Sequence, residues 1–154
     1  MVVQAFAVSI RPDLAEETSR TYSGDREIKE EIHKGSLVLI EPDVSVRDAL
    51  TLLLESKGWE IRTAASREEL GALIGEGGIT AVISESTLPK LTAQEVLELC
   101  SAHRLPVVFT GHDLPLQGAV DLIRQGATDF LDKPFPQSRL VDLLERLSSG
   151  QNSR

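Results

Sequence analysis

"SLVLIEPDVSVRDALTLLLESKG", residues 36–58, is the stretch that decides the fold. Leu37 to Ile40 is an unbroken apolar run, which suits a strand covered on both faces rather than one facing water. The run ends in the turn Glu41-Pro42-Asp43, and from Val44 the apolar residues recur at helical spacing until Gly58 stops them. This is one strand–helix unit, and it recurs four times. "WEIRTA" (59–64) leads into "SREELGALIGEGG" (66–78), and "TAVIS" (80–84) into "TAQEVLELCSAH" (92–103). "LPVVFT" (105–110) leads into "LPLQGAVDLIRQG" (114–126), and "TDFL" (128–131) into "PQSRLVDLLERLSS" (136–149). Five such units predict an α/β fold, a five-stranded doubly wound parallel sheet with right-handed crossovers.

Local signals refine the elements. Ser66 and Glu69 have capping-box spacing, and a proline stands in the first turn of the fourth helix. That helix spaces Leu116, Val120, Ile123 and Ala127 toward the core and leaves Gln117, Asp121 and Arg124 on other faces. Trp59 is expected to start the second strand and pack under the helix before it. Cys100 reads as a small buried hydrophobe, and His103 and His112 as surface residues.

Bulk properties exclude several function classes. The net charge is −8, which argues against a nucleic-acid surface, since phosphate contacts need clustered Lys and Arg. No apolar run approaches the roughly 20 residues of a membrane span. The apolar start of the chain lacks a basic segment before it, so no signal peptide is expected. The single Cys100 forms no internal disulfide, which fits a reducing, cytoplasmic setting. Residues 1–35 stand apart as an N-terminal extension: "GDREIKEEIHKG" is compatible with a short solvated helix ended by Gly35. The extension is either a mobile tail or an arm for docking or dimerisation. Residues 36–148 form the domain and 149–154 a C-terminal tail.

In an open parallel sheet, ligands bind beyond the carboxyl ends of the strands. Glu41-Pro42-Asp43, Ser84-Glu85, Thr110-Gly111-His112 and Lys133-Pro134-Phe135 gather at that edge. No glycine-rich phosphate loop follows the first strand, which leaves out a dinucleotide or P-loop site.

Residues 36–148 resemble a response-regulator receiver domain of the FixJ-like type, with the (βα)5, flavodoxin-like or CheY-like fold. "VLIEPDVSVRDAL", "ISESTLP", "LPVVFTGHDLP" and "GATDFLDKPF" carry the resemblance in order and spacing. The resemblance implies an Asp phosphoacceptor ending the third strand, and an acidic pair after the first strand that holds Mg²⁺. It also implies a hydroxyl ending the fourth strand, and a lysine after the fifth with a switch aromatic three residues before it. Thr110, Lys133, Phe130 and Pro134 match the hydroxyl, the lysine, the aromatic and the proline of the lysine loop. The departures fall on the chemistry. Glu85 occupies the acceptor position, and Glu41 and Pro42 occupy the acidic pair. Mg²⁺ demands near-ideal octahedral geometry and tolerates misplaced ligands poorly. A degenerate pseudo-receiver is therefore expected, with no catalytic residue, no metal and no cofactor. Glu85 is either a built-in mimic of the phosphorylated state, with Phe130 then turned inward, or a plain ion-pair partner of Lys133.

The expected function is that of a stand-alone, phosphorylation-independent interaction module in two-component signalling. The chain stops at "SSGQNSR" with no fused DNA-binding domain, so output is expected through a protein partner. The candidates are a histidine kinase, another response regulator or a second copy in a homodimer. Gln117, Asp121, Arg124 and Arg139 mark the expected interaction face. Two rivals remain: a functional phosphoacceptor that uses the displaced Asp43, and a small-molecule sensor on the same edge.

Overall fold

The computed structural model describes residues 33–149. The expected helix before Gly35 and the two terminal segments lie largely outside them. Gly35 itself does not end a helix; it opens the first strand.

Strands and helices alternate along the chain. They are β1 (Gly35–Ile40), α1 (Val44–Ser56), β2 (Trp59–Thr63), α2 (Arg67–Glu76), β3 (Ile79–Glu85), α3 (Ala93–Ala102), β4 (Val107–Gly111), α4 (Leu116–Arg124), β5 (Asp129–Asp132) and α5 (Gln137–Ser148). The sheet order is β2-β1-β3-β4-β5, and every pairing is parallel. The chain turns in opposite directions from β1, so β1 and β3 form the switch point where open α/β sheets place their sites.

Strand alternation divides the core in two. Leu37, Leu39, Ala81, Ile83, Val108 and Leu131 meet Leu50 and Leu54 of α1 and Leu140, Leu143 and Leu144 of α5. Val38, Ile40, Val82, Val107 and Phe109 meet Leu70 and Ile74 of α2 and Val96, Leu97 and Cys100 of α3. Burial on both faces explains why the strands read as unbroken apolar runs. Trp59 opens β2, is 4% exposed and packs in the α1–α5 layer, as expected.

The helix ends follow from their caps. Asp43 precedes α1, and its Oδ1 accepts from the backbone of Ser45 and Val46. Gly58 follows α1 at φ 100, where a side chain would be strained. Ser66 accepts from the Glu69 backbone, but the Glu69 carboxylate reaches back to the Ala65 backbone rather than to Ser66. A complete capping box occurs instead at Thr92 and Glu95, which sequence reading overlooked. Pro115 is the N-cap of α4 rather than a residue of its first turn.

The fourth helix also departs from expectation in its rotation. Leu116 is 80% and Ile123 42% exposed, and no side chain of α4 is fully buried. Val120 is half-buried, while Leu122 packs on the α2–α3 layer and Ala127 beyond the helix is buried. The sequence offers two apolar stripes a fraction of a turn apart. The helix seats the Leu122 stripe, leaving Leu116, Val120 and Ile123 as an outward apolar line.

Candidate functional site

Alternation carries past the strand ends and places the site residues. Glu41 continues the side of Leu37 and Leu39, Glu85 that of Ala81 and Ile83, Thr110 that of Val108, and Lys133 that of Leu131. All four therefore belong to the α1–α5 side of the sheet. Gly111 and Phe130 continue the opposite, α2–α3 side.

A buried three-membered ion cluster results. Lys133 Nζ donates to Glu41 Oε1 at 2.6 Å and to Glu85 Oε1 at 2.7 Å. The side chains of Lys133, Glu41 and Glu85 are only 9%, 3% and 11% exposed. The second oxygen of Glu41 accepts from the Asp43 backbone at 3.0 Å, and Arg47 donates to the Glu41 carbonyl. The ammonium is thus fixed by the ends of β1 and β3 at once. Thr110 is 1% exposed and pairs with Glu85 in strand register, yet its hydroxyl makes no hydrogen bond among the described residues. The Lys133–Pro134 peptide is cis, and Pro42 and Pro134 are exposed.

Burial pulls the Lys133 pKa down, but the hydrogen bonds and charges of Glu41 and Glu85 outweigh it, so the ammonium titrates above its usual 10.5. A lysine with a raised folded-state pKa stabilises the fold fully below its unfolded pKa and stops doing so as pH climbs through the folded value. Urea melts between about pH 9 and pH 12 are therefore expected to lose stability progressively above the ordinary lysine pKa. The variant Lys133→Met/Glu41→Gln/Glu85→Gln should lose less over the same range. An equal loss in both proteins would place the alkaline transition elsewhere.

These residues do not fit a Mg²⁺ site of the kind the resemblance implies. The ammonium occupies the space between the two carboxylates, Pro42 offers no side-chain ligand, and the Asp43 carboxylate is turned to cap α1. Among the described residues no three His, Cys, Asp or Glu side chains are grouped to hold a metal.

The other expected residues lie apart from this cluster. Gln117, Asp121, Arg124 and Arg139 are exposed on α4 and α5, and Arg139 approaches Asp129 of β5 at 3.6 Å. Gln117 donates to Asp121 along α4. Phe130 is half-buried against the α2–α3 core layer. His103 and His112 are exposed. Cys100 is buried, and burial pushes its thiol up to about 12, leaving it unreactive at neutral pH.

Residues 37–145 match the family model of the response regulator receiver domain. The chain belongs to that family. The receiver domain operates in two-component signal transduction. Over 117 residues this receiver is 36% identical to the transcriptional regulatory protein FixJ of Bradyrhizobium diazoefficiens, covering 73% of this chain and 56% of that protein. The crystal structure of full-length FixJ from B. japonicum aligns with TM-score 0.67 at 30% identity, over 77% of this chain and 60% of that one. The receiver domain of NtrX from Brucella abortus aligns with TM-score 0.67 at 29% identity, over 73% of this chain and 98% of that one. This receiver spans about half the length of the FixJ relatives, 56% and 55% of two of them. No helix among the described residues is long and apolar enough to cross a membrane.

Proposed function

We propose that this receiver is a degenerate, phosphorylation-independent interaction module of two-component signalling, acting in the cytoplasm. One observation carries the reading: a single buried lysine already holds the side chains at both the acidic-pair and acceptor positions, Glu41 and Glu85. In a phosphorylatable relative that lysine is expected to serve the phosphoryl group. Here its charge is already compensated, so the site needs neither metal nor phosphoryl group. Glu85 then serves as the ion-pair partner of Lys133 rather than as a mimic acting on Phe130, which packs on the other side of the sheet. The displaced-acceptor alternative is disfavoured because the Asp43 carboxylate is committed to two backbone groups of α1.

Output falls to the face of α4, β5 and α5, where the partner is a histidine kinase, another response regulator or a second copy. The outward line of Leu116, Val120 and Ile123 supplies its apolar centre. Asp121, Asp129, Asp132, Asp142 and Glu145 stand among Arg124, Arg139 and Arg146, a mixture of signs. A two-fold contact between copies needs such self-complementarity. Sedimentation of the full chain without any phosphodonor is expected to reveal self-association. Leu116→Asp or Arg124→Glu should weaken it by about tenfold or more, which is 1.4 kcal/mol. Association unchanged in both variants would remove this face from the reading.

A small-molecule-sensing role has one observation in its favour. A cavity of about 380 Å³ between α1 and the loop after β5 is lined by Val46, Ala49, Leu50 and Phe135, with Lys133 at its edge. Its volume and apolar lining suit a small apolar ligand.

A further inference from the structure

We propose that Gly111, and not the acidic cluster, sets the position of the Phe130 ring. Gly111 ends β4 on the α2–α3 side of the sheet. A Cβ at this position would lie 3.2 Å from Phe130 Cζ, 3.4 Å from Phe130 Cε1 and 2.7 Å from Ser86 Oγ. The tip of the ring therefore lies in tight contact with the space a side chain would fill.

The surroundings leave that clash few ways to relax. The Gly111 backbone is pinned, because its carbonyl accepts from the Lys133 backbone at 2.7 Å and the Thr110 carbonyl accepts from the Ser86 backbone at 2.8 Å. The Phe130 backbone is paired with Phe109 in the sheet, and its amide also donates to Asp129 Oδ1. On its inner side the ring is packed on the α2–α3 core, so it cannot give inward. Ser86 can rotate its hydroxyl away at little cost. The remaining route is a small displacement of the half-buried aromatic ring away from Gly111, by a few tenths of an ångström.

The acidic cluster, in contrast, has no side-chain route to the ring. Glu41, Glu85, Lys133 and Thr110 occupy the other side of the sheet, and the Thr110 hydroxyl makes no hydrogen bond to any of them among the described residues. Neutralising Glu85 leaves the space above Gly111 unchanged. Ring position is read on the protein alone, whether or not a partner binds the α4–β5–α5 face.

The test is ¹H–¹³C NMR of the full chain carrying ¹³C-labelled phenylalanine, the Phe130 ring signal being assigned with Phe130→Leu. Gly111→Ala is expected to shift that signal as the ring is displaced from the β4 end, and Glu85→Gln to leave it in place. Ser86→Ala/Gly111→Ala removes the closer clash while keeping the one with the ring, and should give the same displacement. This second variant serves if the single one folds poorly. An unmoved signal in the alanine variants overturns the proposal. So does a shift in Glu85→Gln as large as that in Gly111→Ala.

Discussion

Lys133→Ala is expected to destabilise the domain by about 3–5 kcal/mol, the range for removing one partner of a buried ion pair. The substitution leaves Glu41 and Glu85 facing each other with no cation between them, and both are almost out of reach of water. The Asp43 backbone amide helps only the outer oxygen of Glu41. An exposed ion pair would contribute only about 0–1 kcal/mol, so burial separates the two cases. Thermal unfolding should register the loss as a drop in Tm of more than about 10 °C. Neutralising the whole cluster with Lys133→Met/Glu41→Gln/Glu85→Gln should restore most of it, since no buried charge is then left unpaired. A Lys133→Ala protein as stable as the parent would mean that the two carboxylates find water or protons at no cost.

Glu41→Asp/Pro42→Asp/Glu85→Asp is expected to change the chemistry most. Each glutamate becomes one methylene shorter, which withdraws its oxygen from the Lys133 ammonium and opens space between the strand ends. Asp at position 42 adds a carboxylate where Pro42 has none. Together these changes supply the oxygen-rich set that a hard cation with strict geometry requires. A bound cation neutralises the charge on the phosphoryl oxygens during transfer. Incubation with Mg²⁺ and acetyl phosphate should then raise labelling from background to a major fraction of the chains. Omitting Mg²⁺ should abolish that labelling. Labelling by Glu85→Asp alone would mean that the acceptor, and not the missing metal ligands, is the only defect.

Much of this architecture was legible because fold and sequence share a period. The buried strands Leu37–Ile40 and Ala81–Ile83 are apolar without interruption, and the glycine after α1 marks its end. The meeting of Glu41, Glu85 and Lys133 followed from strand order together with the family likeness, because parallel strands bring their ends to one edge. The rotation of α4 was not legible. Its two apolar stripes match the helical period equally well, and only packing against the α2–α3 layer selects Leu122 over Leu116 and Ile123. The caps mislead in a related way. Ser66–Glu69 and Thr92–Glu95 share one spacing, yet only the second closes into a reciprocal box, since Glu69 bonds the Ala65 backbone. The isolation of Thr110 from the ion cluster was equally hidden. It depends on the orientation of one hydroxyl, which spacing does not encode.

With its lysine already held by Glu41 and Glu85, this receiver's site is expected to be closed to phosphoryl transfer. Intact-mass spectrometry of the full chain after incubation with Mg²⁺ and acetyl phosphate tests it most directly, with the triple aspartate variant run alongside. The parent chain is expected to keep an unchanged mass at every time point. A stable gain of one phosphoryl group by the parent chain, lost in Glu85→Gln or in an Asp43→Asn variant, would contradict it.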